Sequence, residues 1–461
     1  MSQMTSVQKS PRSVRKALPP GPRGQFFWGM LGELRRDMLG LYRSSQQQYG
    51  DFVTLPFAGV NTFAISHPDF FKQVLQDNNK NYVRSQFLMT ILKTFIGESL
   101  FTTDGDDWLG RRRLAQPAFH RQRIQGFSET MTSATQAMLD QWDRGADGQR
   151  LQVDHELMQV TLRVAGQTLF SRDLIGEANL LGDAFTDTSE YVNFRLNNPF
   201  VLPPVVPTPR NRKFTRALKV LDETIYSIIR ERRASGEDKP DLLSMLMNAR
   251  DEDTGEGMDD KTLRNEVAVM LFAGHETTAA TLTWAFYLLS QHPEVEQRLH
   301  AELSEVLAGR APAIDDLPKL RYNRMVIDET LRLYPPAWSM SRQSLDEDVI
   351  GGYRLPAGAS LNVCINNVHR DPRFWDEPDR FDPERFLPER SANRPHFAYL
   401  PFGGGPRLCI GNQFALTEAQ LVLAMVAQQY ELRLLPGHPV KPAPIFVLRT
   451  SDGLPMTAQR R

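Results

Sequence analysis

The chain has 461 residues, of which 54 are Lys or Arg and 55 are Asp or Glu, so its net charge is −1. A hydrophobic content of 41% with balanced charge excludes an intrinsically disordered chain and a protein that binds nucleic acid through a large positive charge. The two cysteines, Cys364 and Cys409, allow at most one disulfide, which excludes a disulfide-rich secreted scaffold. We therefore expect a folded cytoplasmic protein with no nucleic-acid partner.

Residues 1–24 form a basic, Pro-rich segment without an apolar run long enough for an export signal or a membrane anchor. Later in the chain, only Val267–Leu289 approaches the length of a membrane span, and His275 and Glu276 lie near its centre. An ionisable residue at the bilayer midplane costs about 3 kcal/mol. This segment is therefore predicted to be a buried helix in a protein that has no membrane anchor.

No linker or repeat divides the remainder of the chain, so residues 25–461 are predicted to form a single domain. Alternating β-branched and aromatic residues over Asp51–Ser66, around the turn Phe57–Gly59, predict a β-hairpin. Apolar residues at helical spacing then predict a long series of helices. They are Asp106–Ala115, Thr130–Trp142, Asp154–Phe170, Phe214–Arg233, Asp241–Arg250, Asp259–Leu289, Glu294–Ala308 and Asn323–Leu333.

A Pro-rich loop at Asn197–Asn211 interrupts these helices, and such a loop is either a simple connector or an entrance lid. After Pro335, glycine turns between short β-like runs predict strands over Arg342–Cys364. The β-rich parts of the domain are therefore expected at about residues 50–66 and 338–368.

An irregular segment rich in Pro and Asp follows at His369–Pro401, and a last helix is predicted over about Phe414–Glu431. Between them, Cys409 ends a Gly-rich loop directly before that helix, with Arg407 two residues away. Loop N–H groups, a helix N-terminus and a cation all favour a thiolate. No Gly-Lys-Ser/Thr sequence follows and no second metal ligand lies at zinc spacing, so a phosphate loop and a zinc site are excluded. A small buried cysteine beside a glycine turn remains the alternative.

The sequence Phe402-x-x-Gly405-x-Arg407-x-Cys409-x-Gly411 resembles the haem-binding signature of the cytochrome P450 monooxygenases. Three further family motifs follow the same order along the chain. They are Ala273-Gly274-x-Glu276-Thr277-Thr278, Glu329-x-x-Arg332 and Pro383-Glu384-Arg385-Phe386. The resemblance implies a mainly α-helical fold with a smaller β-rich region, in which haem lies between the long central helix and the cysteine loop.

For the cofactor, the resemblance implies haem b with Cys409 as the thiolate ligand of the iron. Glu276 and Thr277 would be the catalytic pair that relays protons for oxygen activation, and Gly274 would leave room for O2 beside the iron. Glu329, Arg332 and Arg385 would form a structural ion-pair network without a catalytic role. The residues that would contact the cofactor are Trp108, Arg112, Ala273, Gly274, Arg342, His396, Phe402, Gly403, Arg407, Cys409 and Gly411.

The substrate pocket would be formed by the loop Val83–Phe101 and Ala273. Its apolar members would be Phe87, Ile91, Leu92, Phe95, Ile96, Phe101 and Ala273. This stretch is most similar to bacterial fatty-acid hydroxylases of the self-sufficient type. Those enzymes hold the carboxylate with an Arg and a Tyr on the first hairpin, and Phe52–Ile65 contains neither. A terpenoid or steroid substrate therefore remains open beside a fatty-acid-like one.

The implied reaction inserts one atom of O2 into a C–H bond of an apolar small molecule. About thirty residues follow the last helix, so a fused reductase is not expected, and the chain is expected to act as a monomer with a separate electron donor. A ferredoxin or flavodoxin would dock on a basic stripe. The stripe would consist of Arg111, Arg112, Arg113, Arg121 and Arg123. A peroxide-dependent haem-thiolate enzyme and a non-catalytic haem sensor are the alternatives.

Overall fold

The computed structural model describes residues 17–198, 201–250, 255 and 257–461. Residues 1–16 of the predicted N-terminal segment and residues 199–200 of the Pro-rich loop lie outside these ranges. The described helices are α1 Leu31–Arg36, α2 Met38–Tyr49, α3 Pro68–Lys72, α4 Gln86–Ile96, α5 Gly105–Ala115, α6 Arg121–Trp142, α7 Val153–Phe170, α8 Ala178–Asn197, α9 Pro209–Ser235, α10 Leu242–Asn248, α11 Asp260–Gln291, α12 Pro293–Leu307, α13 Arg321–Leu333, α14 Ile365–Val368, α15 Pro388–Ser391 and α16 Asn412–Gln429.

Strands form four small sheets beside the helices, in the orders β1-β2-β8-β5-β3, β4-β12-β9, β6-β7 and β10-β11. All strand pairs are antiparallel except β2 with β8. The strands are β1 Phe52–Phe57, β2 Val60–Ile65, β3 Tyr82–Arg84, β4 Gln149–Gln152, β5 Met340–Ser344, β6 Asp348–Ile350, β7 Tyr353–Leu355, β8 Ser360–Val363, β9 Tyr430–Leu434, β10 Pro442–Pro444, β11 Leu448–Thr450 and β12 Pro455–Arg460. The mainly α-helical fold with a smaller β-rich part is confirmed.

The predicted first hairpin forms β1 and β2, which pair from Phe52–Ile65 to Phe57–Val60. Ala58 and Gly59 connect the strands with φ values of 48° and 80°. A two-residue turn with positive φ at both positions matches the right-handed twist of the strands it joins.

Helix α11 is the long central helix of the fold. The Asp259 carboxylate accepts a hydrogen bond from Thr262 N at 2.7 Å and caps its first turn. Most side chains over its 32 residues are buried, on all sides of the helix, as expected when other helices surround it. The described residues contain no helix long and apolar enough to cross a membrane.

Each of the eight predicted helices and the last helix is present, with ends that differ by up to nine residues. The prediction of a loop at Val83–Phe101 was wrong, because α4 occupies Gln86–Ile96 within it. Helix α8 was also missed. Its sequence contains several Asn, Asp and Thr residues, which have low helix propensity, so tertiary packing decides its conformation.

Candidate active site

The cysteine loop is held by its own backbone hydrogen bonds. Cys409 N donates to Phe402 O at 3.0 Å, and Leu408 N donates to Gly405 O at 3.1 Å. Gly403 and Gly405 have φ values of 75° and 67°, a region in which glycine is strongly preferred. The loop therefore presents the exposed Cys409 side chain two residues before Gly411, the N-cap of helix α16.

The loop glycines differ in how closely neighbouring parts of the chain approach them. A Cβ on Gly403 would lie 3.3 Å from Met340 Sδ, and a Cβ on Gly405 would collide with Leu75 O. A Cβ on Gly411 would lie 3.7 Å from an edge atom of the Phe119 ring. These glycines therefore fit the loop against neighbouring parts of the chain.

The Cys409 side chain is accessible, yet the protein atoms that surround it act on its thiol. Their desolvation raises the pKa of the Cys409 thiol, although the Gly411 N–H and the Arg112 guanidinium lower it. A metal ion bound to the sulfur would deprotonate it outright.

Helix α11 has an accessible strip in its otherwise buried middle. Ala273 is exposed and Thr277, one turn later, is partly exposed, whereas Phe272 and His275 are buried. Because helices surround α11, an accessible strip at its middle faces an internal space. The Thr277 hydroxyl donates to Ala273 O at 2.8 Å, and its oxygen keeps a free lone pair toward that space.

Gly274 faces helix α7. A Cβ at Gly274 would lie 3.6 Å from Ala165 Cβ and 4.0 Å from Leu169 Cδ1, both on helix α7. These are ordinary van der Waals distances, so packing against α7 does not require a glycine here, and the role of Gly274 beside the iron stays a prediction.

Glu276 is buried directly before Thr277. Burial raises its pKa to about 7, while the Arg449 guanidinium and a hydrogen bond from Ser189 lower it. Ser189 Oγ lies 3.3 Å from Oε2, and Arg449 Nη1 lies 3.8 Å from Oε1. A carboxyl with this pKa exchanges its proton readily near neutral pH.

Arg84, Arg342 and Arg407 form a cluster that contains one acid, Asp104. Arg84 and Arg342 are directly opposite each other across strands β3 and β5, an arrangement that is unfavourable for two like charges. Burial and the neighbouring Arg407 lower the pKa of Arg342 to about 10, and burial, Arg407 and Arg342 lower that of Arg84. Asp104 is the acid paired with Arg407, and Arg84 Nε is buried without a partner. Surplus positive charge and an unpaired buried donor are the features of a site for an anionic group.

The other predicted cofactor contacts lie on several elements. The Arg407 guanidinium stacks 4.3 Å from the centroid of the Trp108 ring, and Arg112 Nη1 donates to Leu408 O at 2.9 Å. Phe402 is partly buried in the core. His396 is exposed, and its ring contacts that of Phe397 at 5.2 Å.

The predicted pocket residues separate into three groups. Phe101 is partly exposed and lies 5.9 Å from the Phe446 ring, which in turn lies 5.4 Å from the ring of Phe272. Phe87 is exposed on the first turn of α4. Apart from Ala273, which is exposed, the remaining predicted members are buried in the core: Ile91, Leu92, Phe95 and Ile96. Phe95 packs edge-on against Phe272 at 5.2 Å and so supports the pocket wall from behind.

Two members of the predicted basic stripe, Arg111 and Arg112, have partners within the chain. Arg111 is half-buried and pairs with Glu266 at 2.6 Å and with Asp107 at 2.8 Å, which joins helices α5 and α11. Arg112 is turned toward the cysteine loop. The exposed arginines of the stripe are Arg113, Arg121 and Arg123.

Sequence reasoning missed Arg84, Phe446 and Arg449. Arg84 joins the arginine cluster only through the pairing of β3 with β5, and Arg449 meets Glu276 only through the position of β11 beside α11. Neither contact has a local sequence signal, because each joins segments more than 170 residues apart.

These groups together fit the haem that the resemblance implies. The exposed thiol can bind iron, and the arginine cluster can bind two propionates. Ala273 and Thr277 offer an accessible, largely apolar helix face to the opposite side.

Comparison with known proteins agrees with this site. The family model described as Cytochrome P450 matches residues 19–456. Cyclooctatin synthase of Streptomyces melanosporofaciens is 38% identical over 459 residues, 99% of this chain and 98% of that protein. Cyclooctat-9-en-7-ol 5-monooxygenase of the same organism is 37% identical over 86% of this chain and 85% of its own length. Pentalenene oxygenase of Streptomyces avermitilis is 34% identical over 87% of this chain and 88% of its length.

Proposed function

The chain belongs to the cytochrome P450 family and is a haem-iron monooxygenase, and we propose that it hydroxylates a cyclic terpenoid. The observation that carries the proposal is the similarity, over 99% of the chain, to a cyclooctatin synthase. The absence of Arg and Tyr from Phe52–Ile65 supports it, because a fatty-acid carboxylate has no partner on that hairpin. The rings of Phe101 and Phe446, which pack on the buried ring of Phe272, offer a rigid apolar wall, which suits a bulky ring system.

The experiment that tests the substrate class supplies the holoenzyme with O2, a ferredoxin, its reductase and NADPH. We expect products one oxygen atom heavier from cyclic terpenes, together with a spectral shift of the haem on substrate binding. Product from steroids or fatty acids alone would contradict the terpenoid proposal. Turnover with hydrogen peroxide but none with O2 and reductant would favour a peroxide-dependent enzyme.

We assign haem b as the cofactor, held by Cys409 and by the arginine cluster of Arg84, Arg112, Arg342 and Arg407. Haem iron with a thiolate ligand supplies the binding and activation of O2. Arg84 and Arg342 would pair with propionate, which relieves their cross-strand repulsion and satisfies the buried Arg84 Nε. Ala273 and the aromatic rings would keep water from the reacting carbon and orient it.

Glu276 and Thr277 would deliver protons to this space. Glu276 has a pKa of about 7 because of its burial, so it can release a proton and take up another near neutral pH. The Thr277 hydroxyl, which is accessible and one residue away, can accept a proton and pass one on through its hydrogen bonds.

Replacing Thr277 with alanine should separate NADPH consumption from product formation. Without the hydroxyl, disordered water would have to deliver the protons. General acid–base groups contribute about 100-fold or more to a rate, and water would replace part of that contribution. We therefore expect roughly a 10-fold lower yield of product per NADPH and more hydrogen peroxide. The matched control is Thr283→Ala. Thr283 makes the same back-bond to its helix, at 2.8 Å to Ala279 O, but is buried. Unchanged coupling in Thr277→Ala would remove Thr277 from the mechanism.

We further propose that the electron donor is a small acidic protein of the ferredoxin or flavodoxin type. Arg113, Arg121 and Arg123 are exposed on the segment that also carries Arg112, and Arg112 binds the carbonyl of Leu408 beside Cys409. Positive charge close to the cysteine loop would steer an acidic donor to the side of the haem where the thiolate lies.

Charge reversal in Arg113→Glu/Arg121→Glu should weaken this docking. We expect the KM for an acidic ferredoxin to rise roughly 10-fold or more at low salt, because rim charges act mainly on association, and the difference from the unaltered enzyme to shrink as salt is added. Lys219→Glu is the control, since Lys219 is an exposed cation on α9. Equal KM values for the double variant and the control would contradict this docking surface.

A further inference from the structure

Three aromatic residues are exposed on a short turn before helix α1. The backbones of Gln25 and Gly29 exchange two hydrogen bonds, at 2.9 and 2.7 Å, and close this turn. The aromatic turn, residues 25–29, carries Phe26, which is fully exposed, and Phe27 and Trp28, which are about half exposed. Large exposed apolar groups that lie together mark a surface for contact with a protein or a membrane.

The aromatic turn is fixed to the end of the first hairpin. A Cβ on Gly29 would collide with Pro56 O on β1, so the two backbones are in close contact. A Cβ on Gly59 would lie 3.7 Å from the Phe27 ring, and the next residue, Val60, is exposed. The backbone therefore holds the three rings at the surface, and Val60 extends the apolar area.

A second exposed apolar group lies in the Pro-rich loop, which starts beside helix α1. Arg35 on α1 donates to Asn197 O at 3.0 Å and to Asn198 Oδ1 at 2.9 Å, so the end of α8 lies against α1. Leu202 and Val205 follow in the loop, and both are exposed. Because α1 begins two residues after the aromatic turn, it connects the two apolar groups.

The charge around the aromatic turn is positive. No acid is present among residues 1–32, whereas Arg23 is exposed three residues before Phe26. The cations of these residues are Lys9, Arg12, Arg15, Lys16 and Arg23. Beyond the Pro-rich loop, Arg212 on the first turn of α9 is also exposed. Aromatic and aliphatic side chains beside cations are the combination that binds the interface of an anionic membrane.

We propose that this apolar face binds the surface of a membrane that contains anionic phospholipids. The face consists of Phe26, Phe27, Trp28, Val60, Leu202 and Val205. Its side chains enter the interfacial layer while the neighbouring cations contact lipid phosphates, and such peripheral binding needs no helix that spans the membrane. A second copy of the chain fits the face poorly, because a symmetric contact would bring the same cations against each other.

Binding through this face would bring lipid next to a cavity. The cavity, of about 750 Å³, is lined by Leu34 on α1, by Phe194 and Asn197 at the end of α8, and by Ile445. Ile445 precedes Phe446, whose ring belongs to the apolar wall. The cavity therefore lies between the proposed membrane face and that wall, on the path of an apolar substrate that leaves the lipid.

The test measures binding of the full-length holoenzyme to sedimented vesicles without substrate, so its outcome is independent of the terpenoid proposal. At low salt, we expect binding to phosphatidylglycerol–phosphatidylethanolamine vesicles to be roughly 10-fold or more tighter than to phosphatidylcholine vesicles, and salt to reduce this difference. Phe26→Ser/Val60→Ser should weaken binding roughly 10-fold or more, because two exposed apolar side chains no longer enter the interface. Leu180→Ser/Leu345→Ser is the matched control. It removes two exposed leucines, at the start of α8 and after β5, and should leave binding unchanged.

Lipids brominated on the acyl chain give a second readout, because bromine quenches only tryptophans that reach the lipid. Trp28 is the most exposed tryptophan of the described residues, so we expect quenching that Trp28→Phe abolishes. Quenching that persists in Trp28→Phe would overturn the inference, as would equal binding of Phe26→Ser/Val60→Ser and its control. Equal binding to the two kinds of vesicle, or binding to neither, would overturn it too. A dimer that Phe26→Ser/Val60→Ser dissociates, without vesicle binding, would assign the face to a second copy instead.

Discussion

Replacing Cys409 with serine should abolish monooxygenase activity and the spectral signature of thiolate ligation. Cys409 is exposed at the end of the Gly-rich loop, next to Leu408, whose carbonyl accepts a hydrogen bond from Arg112. A serine oxygen donates far less electron density to iron than a thiolate, and that donation favours O–O cleavage. We expect the reduced protein with carbon monoxide to lose its red-shifted Soret band, and kcat with O2 and reductant to fall below detection.

The second cysteine provides the control. Cys364 is buried between β8 and α14, and burial raises its pKa to about 12, so it stays a neutral thiol at physiological pH. Cys364→Ala should keep the red-shifted band, and its effect should be limited to stability. A red-shifted band that persists in Cys409→Ser, or disappears in Cys364→Ala, would contradict the assignment of Cys409 as the iron ligand.

Residues in local motifs were predictable from the sequence, whereas partners from distant strands were not. Glu276, Thr277 and Cys409 were identified because each lies in a short pattern tied to a helix or a loop. Arg84 belongs to the same site but is opposite Arg342 only after β3 and β5 pair, 258 positions apart in the chain. Arg449 reaches Glu276 in the same way, through the packing of β11 against α11.

The helices show the same difference: some are determined by their own sequence and others by tertiary packing. Helix α11 was predictable because an apolar run with a capping Asp259 specifies it locally. Helix α8 was not, because its polar residues have local preferences that packing against α9 overrides, as in the stacked rings of Tyr191 and Phe214. The glycines of the cysteine loop were visible in the sequence, but the close approach of Gly405 to the backbone of Leu75 was not, because it joins distant segments.

Glu329, Arg332 and Arg385 form a buried ion-pair network that is connected to the cysteine loop. Arg332 donates to both Glu329 oxygens, at 2.6 and 2.7 Å, and both side chains are fully buried. Arg385 Nε donates to Glu329 Oε1 at 3.2 Å. Arg332 also donates to backbone carbonyls of the irregular segment. They are those of His369 at 2.7 Å, Pro378 at 2.7 Å and Arg380 at 3.2 Å.

His369 connects this network to the loop. Its Nδ1 faces Arg332 O at 3.2 Å, and its Nε2 accepts from Leu400 N at 2.9 Å. Burial and the neighbouring Arg332 lower the pKa of His369 to about 3, so the ring is neutral and the tautomer with the proton on Nδ1 satisfies both bonds. Leu400 O then accepts from Gly403 N at 3.1 Å, at the start of the cysteine loop.

Replacing Arg332 with leucine should therefore destabilise the whole fold by about 3–5 kcal/mol, because it leaves the Glu329 carboxylate buried without its main partner. This is a large part of the roughly 5–15 kcal/mol that stabilises a typical domain, so little folded holoenzyme should accumulate, as measured by urea unfolding and haem content. The control is an exposed pair, removed in Lys219→Ala. Lys219 lies 3.7 Å from Glu223 on α9, and both side chains are about 70% exposed, so its loss should cost less than about 1 kcal/mol. If the two variants unfold at the same urea concentration, the network does not hold the loop, and the cysteine loop is stabilised by its own hydrogen bonds alone.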